Sequence, residues 1–236
     1  MQEKELRWKK KKIGIISCSS LNLLDSPSGA WTKVNISYLY KIQRERHLNQ
    51  PSPPIKARQF SIGTENEPYA VAWLRENTNK EVKHCSEDFD DIVFIVTDWG
   101  LGCSPDVYEY DNAELASIIE IKCVTGSESI NFYFSPTVSF DKKRLRAFDE
   151  HRAQLAGQLL CHPEIKSIQL LKYDPQIDED EFDTRDVTDP SRGILFTYYR
   201  DEFGIYLDYM KNRVIKSNQV LDSGEDIQKA IYQKKN

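Results

Sequence analysis

The residues best suited to chemistry lie between positions 102 and 123. Asp106 precedes a polar segment that leads to Glu120, Ile121 and Lys122. Side chains alternate faces along a β-strand, so Glu120 and Lys122 project to one side while Ile121 points into the core. A bend through the polar segment would bring the Asp106 carboxylate to Glu120. The sequence therefore predicts two carboxylates and an ammonium group at one point of the fold.

Two adjacent carboxylates provide oxygen ligands for a hard divalent cation, and magnesium is the natural candidate because it leaves positions open for water and substrate phosphate. Such a metal lowers the pKa of a bound water and offsets charge on a phosphate in the transition state. Lys122 is suited to orienting or deprotonating that water. The alternative is a salt-bridged surface pair of Glu120 and Lys122. Ile118, Ile119 and Ile121 argue against it, because they predict a buried strand in which unpaired charges are costly.

A further carboxylate is expected from the helical segment that begins at Gly63. Glu65 and Glu67 are two residues apart, about 200° around a helix, so at most one is expected to face the pocket. Glu67 shares its side with Ala70 and Leu74, the apolar face, and is the preferred candidate. The alternative is that both glutamates are first-turn acids that favour the helix dipole.

Helices and strands must position these groups. Apolar residues at helical spacing predict helices over residues 32–46, 63–77 and 143–160, and further helices after residue 201 and in the C-terminal tail. The third helix is expected to bury an apolar stripe of Leu145, Phe148, Leu155 and Leu159. Short β-branched runs predict four strands of one sheet, at residues 91–98, 117–123, 167–174 and 193–200. This order predicts an α/β fold with a mixed central sheet flanked by helices.

The bulk properties fit a single globular α/β domain over residues 1–236, with 39% hydrophobic and 29% charged residues. No apolar run approaches the ~20 residues of a membrane span, and no signal peptide is recognisable, so we expect a cytoplasmic protein. The net charge of -5 argues against a protein that coats nucleic acid non-specifically. An enzyme with a local basic groove remains compatible, and residues 7–12 (RWKKKK) could contribute to one.

The five cysteines are scattered singly, with no CxxC pair, so the spacing predicts neither a disulfide framework nor a zinc site. An iron–sulfur cluster nuclease requires four cysteines, some of them near the C-terminus. No cysteine follows Cys161, which argues against that class.

Several short segments follow one another in an order that resembles one nuclease family, the YqaJ-type viral recombinases or phage lambda exonuclease family of the PD-(D/E)XK superfamily. The segments are residues 14–19 (GIISCS), 37–39 (SYL), 63–70 (GTENEPYA), 103–106 (CSPD), 120–123 (EIKC), 153–154 (AQ) and 173–175 (YDP). The resemblance covers most of the chain and selects Glu67 over Glu65.

The resemblance implies a PD-(D/E)XK core and a Mg²⁺-dependent exodeoxyribonuclease, with Mn²⁺ able to substitute. Such an enzyme digests one strand of linear double-stranded DNA, 5′ to 3′, in phage-type recombination. The resemblance further implies a homotrimer that works with a single-strand annealing protein.

The resemblance also implies roles for individual residues. Lys122 would activate the water, Glu67 would join Asp106 and Glu120 as a catalytic carboxylate, and the metal ligands would be Asp106, Glu120, Ile121 and Glu67. The residues around the terminal 5′-phosphate would be Lys12, Ser19, Ser104 and Gln154. Among the departures from the family pattern, Lys12 replaces an arginine, which keeps the charge but loses the bidentate geometry. Val107 and Val124 replace a usual glycine and a frequent proline.

His151 and Gln158 share the helix face of Gln154, so the three side chains could line the cleft together. A solvated surface is the expected role for His151 and Gln158. Two other readings of the function stay open. One is another nuclease of the same superfamily, either a restriction-type endonuclease or an iron–sulfur cluster nuclease. The other is a catalytically inactive DNA-binding module on the same fold.

Overall fold

A mixed five-stranded sheet forms the centre of the fold, and the described residues form a second sheet of three short strands. The computed structural model describes residues 2–53, 58–175 and 187–232. The strands in chain order are β1 (Ile16–Ser17), β2 (Glu81–His84), β3 (Ile95–Val96), β4 (Leu101–Cys103), β5 (Val107–Asp111), β6 (Glu114–Cys123), β7 (Ser167–Tyr173) and β8 (Gly193–Tyr199). The large sheet has the order β2-β5-β6-β7-β8, and only β6 and β7 run parallel. The small sheet has the order β1-β4-β3.

Helices cover both faces of the large sheet. The α-helices of the described residues are α1 (Gln2–Lys11), α2 (Lys33–Leu48), α3 (Arg58–Asn77), α4 (Ser127–Tyr133), α5 (Phe140–Cys161), α6 (Arg200–Phe203), α7 (Ile205–Asp222) and α8 (Ile227–Tyr232). Leu74 of α3 packs in one core with Ile119 and Ile121, whereas Leu159 of α5 packs in another with Ile118. The predicted α/β fold with a mixed, helix-flanked sheet is therefore confirmed.

Most of the predicted elements are present. The three helices predicted before residue 161 are α2, α3 and α5, and the structure extends each of them by a few residues. Thr32 and Asn35 start α2 with a reciprocal capping box, in which each side chain bonds to the backbone of the other residue. The runs at 117–123, 167–174 and 193–200 form β6, β7 and β8. No helix of the described residues is long and apolar enough to cross a membrane.

The strand predicted over residues 91–98 is wrong in length and in sheet. Only Ile95–Val96 forms a strand, β3, and it pairs with β4 of the small sheet. The backbone of Val93 bonds instead to two groups outside the ladder, since its amide donates to the Cys85 carbonyl and its carbonyl accepts from the Ser104 hydroxyl. These contacts override the strand propensity of the apolar run.

The apolar stripe predicted for α5 is also only partly correct. Leu155 and Leu159 are fully buried, but Leu145 is 63% exposed. At that end of the helix the buried positions are Lys143 and Ala147. These lie roughly 200° around the helix from Leu145, because adjacent residues differ by about 100°. Leu145 therefore faces away from the core.

The hairpin of β5 and β6 carries the central motif. Asn112 and Ala113 form its two-residue turn with φ values of 51° and 66°, as the tight turns that match strand twist require. Val107 lies opposite Ile119 in this antiparallel pair, so the next position along each strand places Asp106 beside Glu120. The bend predicted after Asp106 is present.

Candidate active site

A cavity of about 650 Å³ holds the residues that the sequence singles out. Its lining comes from α1, α3, α5, β2, β6 and the segments around residues 17–19 and 102–106. The predicted site residues that line it are Lys12, Ser19, Glu67, Ser104, Asp106, Glu120, Lys122 and Gln154. Residues from distant parts of the chain therefore converge at one place.

Ile121 is the exception among the predicted site residues. Its side chain packs in the core beneath α3 and is not part of the cavity lining. Its backbone amide donates to Oδ2 of Asp106 at 2.7 Å. This bond fixes one oxygen of Asp106 against β6. Because the side chain of Ile121 is apolar and its amide is a donor, its backbone carbonyl is the group that could bind a metal ion.

Glu120 is buried, with 2% of its surface exposed, and side chains of α5 and β6 satisfy it. Its Oε1 accepts from Lys122 Nζ at 2.5 Å and from Gln154 Nε2 at 2.6 Å. Its Oε2 accepts from Gln158 Nε2. A buried carboxylate needs such donors to offset the loss of water, so the three side chains hold Glu120 in one orientation.

The expectation that Gln158 and His151 lie on a solvated face is wrong for both. Gln158 is fully buried because α5 presses it against Glu120. His151 Nε2 contacts the Nζ of buried Lys172 at 2.8 Å and lies outside the cavity lining. Burial, with the charges of Lys172 and Lys122, lowers the pKa of His151 to about 3, so its imidazole is neutral at physiological pH.

The carboxylates leave an excess of negative charge at the site. Loss of water, followed by repulsion from Glu120 and Glu67, raises the pKa of Asp106 well above its usual range. Burial by itself lowers the pKa of Lys122, but attraction to Glu120 and Asp106 outweighs it and raises that pKa. One ammonium thus stands against three carboxylates. This donor set fits a hard divalent cation, for which oxygen ligands of this kind are preferred.

Glu67 lies in the cavity as predicted, and Glu65 lines it as well, at an exposed position. The expectation that only one of the two faces the pocket is therefore wrong, because the cavity is wide enough to reach around this end of α3. Glu67 Oε1 contacts His84 Nε2 at 2.8 Å, and Ser86 Oγ lies 3.0 Å from the same nitrogen. Burial lowers the pKa of His84, but Glu67 and Glu87 outweigh this and raise it.

His84 is a site residue that the sequence did not predict. It reaches the cavity from β2, whose position beside β5 is set by long-range pairing. The four-residue segment of β2 contains no motif that marks its histidine.

Two of the candidate phosphate-binding residues, Lys12 and Ser104, contact Trp8 of α1. Lys12 Nζ lies 4.0 Å from the centre of the Trp8 ring, and Trp8 Nε1 donates to Ser104 Oγ at 3.2 Å. Ser19 is exposed, with its hydroxyl 3.2 Å from that of Ser17. A second cavity of about 320 Å³ shares Trp8, Lys12 and Ser19 with the first. Ser19 and Lys12 therefore border both spaces, whereas Ser104 lines only the larger one.

Comparison with known proteins depends on structure, since no protein-family model and no curated protein matches the sequence. The alkaline exonuclease LHK-Exo from Laribacter hongkongensis, solved in complex with dAMP, has a TM-score of 0.64 at 17% identity, over 97% of this chain and 98% of that chain. A phage-related exonuclease from Haemophilus somnus 129PT has a TM-score of 0.62 at 14% identity, over 89% and 96%.

The chain has the fold of these exonucleases. The resemblance to an exonuclease family drawn from the motifs is therefore confirmed at the level of the fold. Within this exonuclease fold, the motifs around Asp106 and Glu120 occupy the β5–β6 hairpin, and Glu67 and Gln154 come from the helices on its two faces.

Proposed function

We propose that the chain is a magnesium-dependent exodeoxyribonuclease that digests one strand of linear double-stranded DNA from 5′ to 3′. The observation that carries this proposal is the convergence of Asp106, Glu120, Glu67 and Lys122 in one cavity. The fold shared with two exonucleases supports it. Manganese is expected to substitute for magnesium, because it also takes oxygen ligands.

The metal is assigned to the carboxylates of Asp106, Glu120 and Glu67. When bound, magnesium supplies Lewis acidity and positive charge at the scissile phosphate. Asp106 is held for this role by the Ile121 amide, and Glu120 by Gln154 and Gln158. Because these contacts fix the carboxylate oxygens in advance, little reorganisation accompanies ligand binding.

Lys122 is assigned to the attacking water. Its Nζ lies beside Glu120 and on the strand face that opens to the cavity. There its ammonium, which attraction to Glu120 and Asp106 keeps protonated, orients the water towards the phosphate. A cation held by those carboxylates would offset that attraction, and the neutral amine could then receive the proton of the water. Glu120 positions the ammonium through this ion pair.

Lys12, Ser19, Ser104 and Gln154 are assigned to the terminal 5′-phosphate. They offer ammonium, hydroxyl and amide donors along one wall of the cavity. Ser104 is two residues from Asp106, so a phosphate bound there fixes which phosphodiester reaches the carboxylates. We extend the proposal to a homotrimer that acts with a single-strand annealing protein in phage-type recombination, in the cytoplasm of a bacterial or phage-infected cell.

The assignment is tested with two linear duplexes that differ only in a 5′-phosphate or a 5′-hydroxyl. The phosphorylated duplex is expected to be digested faster, and a label on its 5′-terminal nucleotide should appear among the first products. Lys12→Ala should slow digestion of phosphorylated ends and leave hydroxyl ends nearly unchanged. Equal rates on the two duplexes would contradict the phosphate site, and early release of a 3′-terminal label instead would contradict the polarity.

A further inference from the structure

Three buried thiol groups meet beneath the cavity. Cys18 begins the 3-10 helix Cys18–Leu23, Cys103 ends β4, and Cys161 ends α5. All three are buried, and their sulfur atoms lie within 4.8 Å of one another. The Sγ atoms of Cys18 and Cys161 are 3.9 Å apart, although the residues are 143 positions apart in the chain. Of the five cysteines, Cys85 and Cys123 are not part of this cluster.

The fold builds this cluster through backbone pairing and one small residue. Ser17 lies opposite Gly102 in the parallel pair of β1 and β4, so the next position along each strand brings Cys18 to Cys103. Gly157 lets α5 approach the 3-10 helix closely, and this approach brings the Cys161 thiol to the other two. A Cβ atom at this glycine would lie 2.9 Å from Cys18 Sγ and 2.5 Å from a methyl group of Leu21.

The Cys18–Cys161 sulfur separation matches that of two thiolate ligands on one ion, and all three sulfur atoms lie within 4.8 Å of one another. Zinc–sulfur bonds of about 2.3 Å place the sulfurs of a tetrahedral site about 3.8 Å apart. The Cys18–Cys161 separation of 3.9 Å has this length, and it is far longer than a disulfide bond of about 2.05 Å.

Charge balance favours a divalent ion over a monovalent one. Three thiolates and a divalent cation leave one negative charge, whereas a monovalent cation leaves two. Burial and the charge of Lys41 lower the pKa of Lys12, and Cys103 and Cys18 in thiolate form oppose this, so Lys12 lies within electrostatic range of the cluster.

We propose that Cys18, Cys103 and Cys161 bind one thiophilic divalent metal ion of the zinc class. The site uses none of the carboxylates of Asp106, Glu120 and Glu67. Its ligands are soft thiolates, which prefer a different class of metal ion from hard carboxylates. The inference stands independently of the proposed nuclease activity.

The position of the ion gives it a structural role. Cys18 is followed by Ser19, Cys103 is followed by Ser104, and Cys161 lies two helical turns after Gln154. An ion held by the three thiolates therefore ties together the segments that carry three candidate phosphate-binding residues. Binding forms three metal–sulfur bonds and releases the thiol protons to solvent, with no change of oxidation state.

Proton release makes metal affinity depend on pH. Burial raises the pKa of Cys18 and Cys103 above the ordinary thiol range, whereas hydrogen bonds from Cys103 and Cys18 lower that of Cys161. Protons compete with the ion for the thiolate sulfurs, so the metal affinity should fall as the pH decreases.

The test uses the full chain, reduced and metal-free, in excess magnesium that saturates the carboxylates. Titration with Cd²⁺ is expected to give a thiolate-to-metal charge-transfer absorption that saturates at one ion per chain and is competed away by Zn²⁺. Cys18→Ser and Cys161→Ser should weaken binding by more than the ~10- to 100-fold that loss of an outer-shell partner costs. Cys85→Ser, which changes an equally buried thiol, and Cys123→Ser should bind like wild type.

Absence of the charge-transfer band in the wild-type protein would overturn the proposal, as would unchanged binding by Cys161→Ser. If the serine variants at the cluster do not fold, X-ray absorption on the wild-type protein with one equivalent of Cd²⁺ counts the sulfur ligands around the ion. Three sulfur ligands around the ion support the site, and fewer than three contradict it.

Discussion

At Asp106, loss of water and repulsion from Glu120 and Glu67 raise the pKa of the carboxyl group. Because the unfolded chain ionises this group more readily, an ionised Asp106 lowers the free energy of unfolding at neutral pH, and this cost disappears as the pH falls below the usual aspartate range. The same crowding of carboxylates suits a divalent cation. The ionised carboxyl group of Asp106 therefore lowers the stability of the fold but favours cation binding.

Asp106→Asn is expected to stabilise the metal-free protein while abolishing cleavage. The amide removes the buried charge but can still accept the hydrogen bond from Ile121. Each 1 kcal/mol gained at the unfolding midpoint corresponds to ~2–4 °C in Tm for a chain of this size. Added magnesium should raise the Tm of wild type and have a smaller effect on the variant. Asp111→Asn is the control, since Asp111 is exposed at the hairpin end. Equal magnesium shifts in Asp106→Asn and wild type would contradict the metal assignment.

Lys122→Ala is expected to lower the cleavage rate by ~10²- to 10⁴-fold, the usual contribution of a general base, and to leave DNA binding in place. Lys83→Ala is a suitable control because Lys83 lies in the same sheet, on β2, with its side chain half exposed. Single-turnover rates and equilibrium DNA binding separate the two effects. A cleavage rate within about tenfold of wild type would remove Lys122 from the chemistry.

At the scale of elements, α5 links the active site to the small sheet. Gln154 and Gln158 hold Glu120 on one side of the helix, while Gly157 and Cys161 contact the 3-10 helix that follows β1. The close approach at Gly157 leaves no room for a side chain.

Gly157→Ala is expected to destabilise the protein by about 1–3 kcal/mol, the usual cost of overpacking a core. Its added methyl group would meet Leu21 and Cys18. Gly63→Ala is the matched control, because Gly63 also lies in a helix but has open space around its Cβ position. The control should gain about 0.5–1 kcal/mol from the higher helix propensity of alanine. Chemical denaturation measures both, and a Gly157→Ala variant as stable as Gly63→Ala would contradict the packing.

Local patterns predicted part of the site because they act over short distances. Alternation along β6 places Glu120 and Lys122 on one face, and a two-residue turn returns Asp106 to them. His84 was not predicted, because strand pairing brings it in from a distant part of the chain. Helical spacing placed Gln158 beside Gln154, but its burial against Glu120 depends on how the helix packs on the sheet. The thiol cluster was not predicted either, because the spacing of its three cysteines along the chain matches no metal-binding motif.

At the scale of the whole molecule, the net charge of -5 coexists with lysines at one cavity. Lys4 and Lys12 come from the first twelve residues, and Lys122 comes from the central sheet. DNA is therefore expected to bind through a few local cations, not through a broadly basic surface, and to need a free end that enters the cavity.

Exonuclease activity is tested by incubating the protein with one DNA as a linear duplex and as a covalently closed circle. With magnesium, we expect release of mononucleotides from the linear form and none from the circle, and chelation of the metal should stop the reaction. Asp106→Asn should be inactive on both. Cleavage of the circle would contradict an exonuclease, and digestion of the linear form that persists in chelator would contradict the metal cradle of Asp106, Glu120 and Glu67.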